Sequence, residues 1–199
     1  MNKTLIIIAS IVGFFLIIGL WFSGTYNSLV TQEEAVSAQW KNIEVVYQAR
    51  ADKTKNLMEI VKGAANFEKS TLQAVVDARS KATSIQLNAD DLTPEKMAQF
   101  EKAQAQFSSS LGKLMAISEN YPQLQAVQAF RDFQTQYEGM ENRISTERRR
   151  FNEVAQTYNT YIRKFPRNIV SSMFGFEKKA YFSSQEGTEN APDINMKLN

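Results

Sequence analysis

The sequence predicts an all-α protein: an antiparallel bundle of three to four long amphipathic helices behind one amino-terminal transmembrane helix. Three observations predict it. An uncharged apolar run stands near the amino terminus, with no charged residue from Thr4 to Gln32. Beyond it, apolar residues recur at three- and four-residue steps over most of the 199 residues. Breakers are few, with 8 Gly and 4 Pro, and Pro94, Pro122 and Pro166 bound the periodic stretches.

The apolar run, Leu5 to Phe22, reads LIIIASIVGFFLIIGLWF. Its 18 residues span about 27 Å as a helix, close to the hydrocarbon thickness of a bilayer. Trp21 stands where an interfacial aromatic belongs. A signal peptide would place small residues at its cleavage site, but here the bulky Trp21 and Phe22 occupy the critical positions. The run therefore reads as an uncleaved anchor. Lys3 precedes it, and the first positive charge beyond is Lys41. The positive-inside rule then directs the bulk of the chain outward. The expected topology is single-pass, with most of the chain extracytoplasmic.

The first amphipathic stripe runs through Val36, Trp40, Ile43, Tyr47, Leu57, Val61 and Ala64 to Leu72 and Val75. It passes Gly63 without a turn cluster and ends in the breakers Asn88, Asp90, Asp91 and Pro94. Thr93-Pro94-Glu95 opens the second helix: a capping hydroxyl, a proline suited to the first position and an acid at the positive helix end. Its stripe is Phe100, Ala103, Phe107, Leu111, Leu114 and Ile117, stopped by Asn120-Tyr121-Pro122. The third stripe, Val127 to Phe165, ends at Pro166. The expected helices are 31–85, 94–118 and 123–164, and the expected units are 1–23 (anchor), 24–182 (bundle) and 183–199 (polar flexible tail). The lengths do not match. Either helix one folds back near Gly63, giving four helices, or long ends project. Projecting stripes would expose large apolar residues, so self-association is an expected consequence of the second arrangement.

Composition limits the chemistry. The chain has no His and no Cys. That excludes Ser-His-Asp and Cys-His nucleophiles, His-metal clusters, disulfides and zinc thiolates. A di-metal bundle site built on Glu-x-x-His is excluded for the same reason. A net charge of +2 does not indicate nucleic acid, and no phosphate-binding glycine loop occurs. Arg148-Arg149-Arg150 fans around its helix and reads as a solvated face. Arg50, Glu141 and Arg148 fall on apolar stripes, where a polar layer fixes register at a cost in stability. Tyr158, Tyr161, Phe165, Phe174, Phe176, Tyr181 and Phe182 concentrate aromatics near the carboxyl end. They read as core plus a strap folded over the bundle end, with an exposed interaction patch as the alternative.

Particular words in this layout resemble the LemA family of membrane-anchored bacterial proteins. They include Tyr26-Asn27-Ser28-Leu29-Val30, Glu34-x-Val36-x-x-x-Trp40-x-x-Ile43-Glu44-Val45 and Arg50-Ala51-Asp52 with Asn56-Leu57. Further on come Glu119-Asn120-Tyr121-Pro122, Glu141-Asn142-Arg143-Ile144, Arg149-Arg150-Phe151-Asn152-Glu153, Tyr158-Asn159 and Arg163-Lys164-Phe165-Pro166. The resemblance covers about residues 24–195. Two departures stand out: a usual Leu-Ile-Pro after Arg-Ala-Asp is Lys53-Thr54-Lys55 here, and a usual His-Glu pair is Phe67-Glu68. The resemblance implies a helical bundle behind one anchor in the bacterial cytoplasmic (inner) membrane, with the bulk on the periplasmic side, and no established enzyme activity. Trp40, Arg50, Asp52, Asn56, Glu141 and Arg148 are the candidate structural or interaction residues. No catalytic residue, cofactor or metal is expected. The expected partners are the lipid bilayer, a second copy of the chain and other envelope proteins. The expected role is a scaffold or interaction module, with an envelope ligand sensor or a carboxylate-dependent hydrolase as alternatives.

Overall fold

The computed structural model of the chain describes residues 3–64 and 67–183. The described residues form six α-helices: α1 Lys3–Lys62, α2 Lys69–Ser84, α3 Pro94–Ser118, α4 Pro122–Gln125, α5 Gln128–Arg163 and α6 Arg167–Met173. A 3-10 turn, Ala89–Asp91, lies between α2 and α3. The all-α class read from the sequence is observed.

At 1.5 Å per residue, the 60 residues of α1 extend about 90 Å. The polar stretch Thr25–Ser28 does not interrupt the helix. Hydroxyls in and just beyond it bond back to the helix: Ser28 donates to the Gly24 carbonyl and Thr31 to that of Asn27, each at 2.9 Å. The apolar amino-terminal end is long and apolar enough to cross a membrane, and its side chains have no protein neighbours to bury them. Burial begins at Thr25 and Leu29 and then follows the stripe to Val61.

The sequence leaves the course of helix one open; the chain folds back at Gly63. The Gly63 amide donates to Ile60 and the Ala64 amide to Val61, closing the last turn. Helix α2 then returns along α1, where the Arg79 guanidinium donates to the Ala51 carbonyl at 2.8 Å. The expected helix 31–85 is therefore two helices. Folding back buries the stripe within one chain, so Trp40, Ile43 and Leu57 are 1% exposed or less. The length mismatch that motivates self-association is thereby removed.

Helix α3 has the bounds expected from its cap, and the Thr93 hydroxyl accepts from the Lys96 amide at 3.3 Å. The expected helix 123–164 is a single turn, α4, followed by α5. Helices α1 and α5 form the long antiparallel pair. Going up α1, Glu33 meets Tyr158, Gln39 meets Glu147, Arg50 meets Glu141 and Lys53 meets Gln136. The α2–α3 pair packs beside the part of α1 distal to the apolar run. Phe165, placed on the third stripe by periodicity, is a correction. Helix α5 ends at Arg163, so Phe165 leaves the stripe and is 81% exposed.

After α6, Gly175 adopts φ +74°, which an L side chain rarely tolerates, and turns the chain upward. Residues 176–183 then run as an extended strap along the side of the bundle rather than over its end. Phe182 is buried against Trp40, Phe100 and Phe151. Of the tail 183–199, Ser183 is bonded to Glu101, and the rest lies outside the described residues.

Candidate functional site

Two apolar clusters fill the bundle. One runs from Leu29 to Tyr47 on α1 with Phe100, Phe151 and Tyr158. The other runs from Ala51 to Val61 with Phe107, Leu111 and Phe130. Arg50 stands between them, 1% exposed. Its guanidinium lies between the Tyr47 and Phe107 rings, 5.1 and 4.9 Å from their centroids. One terminal nitrogen donates to Glu141 Oε1 at 2.8 Å and to the Ser108 hydroxyl. The other donates to Gln104 Oε1 at 2.6 Å. The Gln104 amide in turn donates to the Ala82 carbonyl at 3.1 Å. Helices α1, α2, α3 and α5 thus meet in one polar layer, which has a single register: sliding α1 by a turn would remove the cation from every partner.

A second node lies toward the apolar amino-terminal end of α1. Arg148 pairs with Glu101 at 3.1 Å, donates to the Ser183 carbonyl at 2.9 Å and covers the Phe182 ring. Glu101 also accepts from the Ser183 amide and hydroxyl. Between the two nodes runs an open groove of about 740 Å³, with Ser183 among its lining residues.

The strap is held by two asparagines of α5. Asn159 donates to the Lys179 carbonyl and accepts from its amide; Asn152 does the same for Phe182. Seven helical residues rise about 10.5 Å, and three extended residues span about 10 Å. The one-heptad spacing of the asparagines therefore matches the three-residue spacing on the strap. Replacing either with alanine orphans a buried amide and carbonyl and costs strap docking about 1–3 kcal/mol. Hydrogen exchange of the 179 and 182 amides is expected to accelerate about tenfold or more in Asn152→Ala and Asn159→Ala. Unchanged protection would show that the strap is held by its aromatics alone.

A third node lies deeper. Lys179, 6% exposed, pairs with Glu33 at 2.9 Å, and the Tyr158 hydroxyl donates to the same carboxylate at 3.4 Å. Burial, and then the Glu33 charge, push the Tyr158 phenol well above its usual range; Glu177 and Asp90 add in the same direction. A phenol whose folded pKa is raised keeps its proton longer folded than unfolded. Its contribution is complete below about pH 10 and is lost as pH rises above that. The chain is expected to lose about 1 kcal/mol more than Tyr158→Phe between about pH 10 and pH 11 in alkaline melts. Parallel curves would remove the effect from this residue.

The sequence candidates fare unequally. Trp40 is buried and donates to the Leu87 carbonyl at 2.8 Å. Arg50 and Glu141 are brought together, and Arg148 forms the neighbouring node. Asp52 is exposed and accepts from Gln48 on its own helix; Asn56 is exposed as well. The basic run does fan out, with Arg149 solvated, but Arg148 turns to the strap and Arg150 pairs with Glu147. Sequence reasoning does not find Glu101, Gln104, Ser108 or Lys179. Asn152 and Asn159 did carry a signal, one heptad apart in two of the quoted words.

Comparison with known proteins agrees with this architecture. The chain is 29% identical over 179 residues to magnetosome protein MamQ 2 of Paramagnetospirillum magneticum, covering 80% of this chain and 65% of the relative. It is 30% identical over 176 residues to MamQ of Magnetospirillum gryphiswaldense, covering 79% and 64%. It is 26% identical over 176 residues to protein LemA of Metamycoplasma hominis, covering 87% and 77%. The chain thus spans about 65% of the length of the MamQ relatives. The LemA family model matches residues 39–196, which takes in the polar layer and the strap, and the chain belongs to the LemA family.

Proposed function

We propose that the chain is a single-pass, membrane-anchored helical module of the bacterial envelope that presents a binding face and performs no catalysis. One observation carries the reading: α1 is a single helix from the apolar run into the core of the bundle. A continuous helix holds the bundle at a set height above the bilayer, which serves a scaffold. The ionised groups that the bundle buries support it. Arg50, Arg148 and Lys179 are consumed by Glu141, Glu101 and Glu33, an arrangement that fixes register and leaves no free acid-base pair at these nodes. The bulk lies on the extracytoplasmic side, following Lys3 and the delayed Lys41.

The test is made in intact cells. A photo-cross-linking residue at Val76, exposed on α2, is expected to give discrete adducts, and a tag at Asn199 is expected to be removed by protease added to spheroplasts. Adducts that persist unchanged when residues 3–23 are deleted would separate binding from anchoring and sink the scaffold reading. A protected tag would reverse the orientation.

A further inference from the structure

The end of the bundle nearest the anchor exposes apolar side chains. Phe165 is 81% exposed, Met173 66%, Ile169 51% and Phe174 50%. Ile169 and Met173 stand four residues apart, one turn of α6, so they share a face. The opposite face is already used, with Val170 fully buried. This short helix is therefore apolar on both sides, and only one side has a protein neighbour. Exposed clusters of this kind mark a docking surface.

The geometry fixes what lies next to it. Helix α5 is antiparallel to α1, so its last turn points toward the anchor. The Phe174 ring lies 5.7 Å from Phe22 and 4.8 Å from Tyr26, and Phe176 lies 6.0 Å from Tyr26. Phe22 is the last residue of the apolar run. If residues 5–22 fill the hydrocarbon layer, Phe174 stands at its boundary. The surrounding charges are mainly positive. Arg163, Lys164 and Lys178 are exposed, Arg167 stacks on Tyr161 at 4.2 Å, and Glu177 is the acidic neighbour. Aromatic and aliphatic side chains interleaved with cations suit the headgroup region of an anionic leaflet.

We propose that the loop after α5 together with α6 is a second membrane contact: it seats Phe165, Ile169, Met173 and Phe174 in the interface of the anionic bilayer that α1 spans. The contact rests on the anchor reading above. It gives the bundle two points of attachment, one spanning and one lying in the interface. One helix alone leaves the bundle free to swivel about its axis; the second contact fixes which side faces the membrane.

The chain contains no cysteine, so Phe165→Cys carries a unique thiol at an exposed position that the core does not use. The full chain, labelled there with nitrobenzoxadiazole, is reconstituted into vesicles of phosphatidylcholine and phosphatidylglycerol. Val76→Cys on α2 is the reference. The label at 165 is expected to be quenched by lipid carrying a nitroxide near the headgroup and to be several-fold less open to iodide than the label at 76. Arg163→Gln and Lys164→Gln are expected to lower the ratio of docked to free loop by about fivefold each. Iodide access equal at the two positions would overturn the proposal. So would shielding from iodide without nitroxide quenching, which is the result a protein partner or a second copy would give. Extraction of the chain by alkaline carbonate would overturn the anchor and this contact together, whereas a resistant chain with a water-exposed label would overturn the contact alone.

Discussion

Trp40→Ala is expected to remove about 4–5 kcal/mol of unfolding free energy, a large fraction of the roughly 5–15 kcal/mol a domain holds. The ring is 1% exposed, and its neighbours come from α3, α5 and the strap: Phe100 at 5.4 Å, Phe151 at 5.5 Å and Phe182 at 6.0 Å. Truncation leaves a cavity that these elements cannot all close, because each is held by other contacts; that alone costs about 3–5 kcal/mol. It also removes the indole donor from the Leu87 carbonyl, in the loop that joins α2 to α3. Trp40→Phe keeps part of the packing and is expected to lose about half as much. Guanidinium titration of the full chain in detergent, followed by circular dichroism, gives the comparison. A loss below about 2 kcal/mol for the alanine variant would show that Trp40 does not join the three elements.

The polar layer is expected to answer asymmetrically. Glu141→Ala leaves the Arg50 cation buried with only neutral partners, and a guanidinium can neither lose its proton nor reach water there. The expected cost is about 3–5 kcal/mol. Arg50→Ala leaves a carboxylate whose side chain is 33% exposed and can turn toward solvent, so its cost falls more on lost packing between Tyr47 and Phe107. The double replacement Arg50→Met with Glu141→Leu is expected to recover most of the loss, because it removes both desolvated charges. Such a variant loses the Arg50–Glu141 charge pair that stands between the two apolar clusters. Its hydrogen exchange should then show α1 less firmly registered against α3 even where stability is restored. Losses under about 0.5 kcal/mol for both single variants would make these surface charges and remove the register argument.

How much of this was legible depended on the range of the interaction. Arg50 and Glu141 could be singled out because each breaks an apolar stripe. Their mates on α3 could not, since Gln104 and Ser108 look like ordinary helical polar residues. Asp52 and Asn56 sit in equally recognisable words and face solvent. Phe165 and Phe182 show the same limit from opposite sides. Both are phenylalanines near the carboxyl end, yet one is 81% exposed and the other 5%.

By itself the sequence determined what local physics decides. The uncharged run is long enough for a bilayer by composition alone. The all-α class follows from apolar periodicity, and the bounds of α3 follow from Thr93, Pro94 and the break after Ser118, which act within a turn of themselves. The tertiary structure alone decided where helix one reverses, because Gly63 becomes a turn only when α2 and α3 cover Leu57 and Val61 by folding back. It alone decided that Lys179 and Phe182 are buried. An extended strap carries no period of its own, and its place is set by two asparagines, a tryptophan and a glutamate twenty or more residues away along the chain.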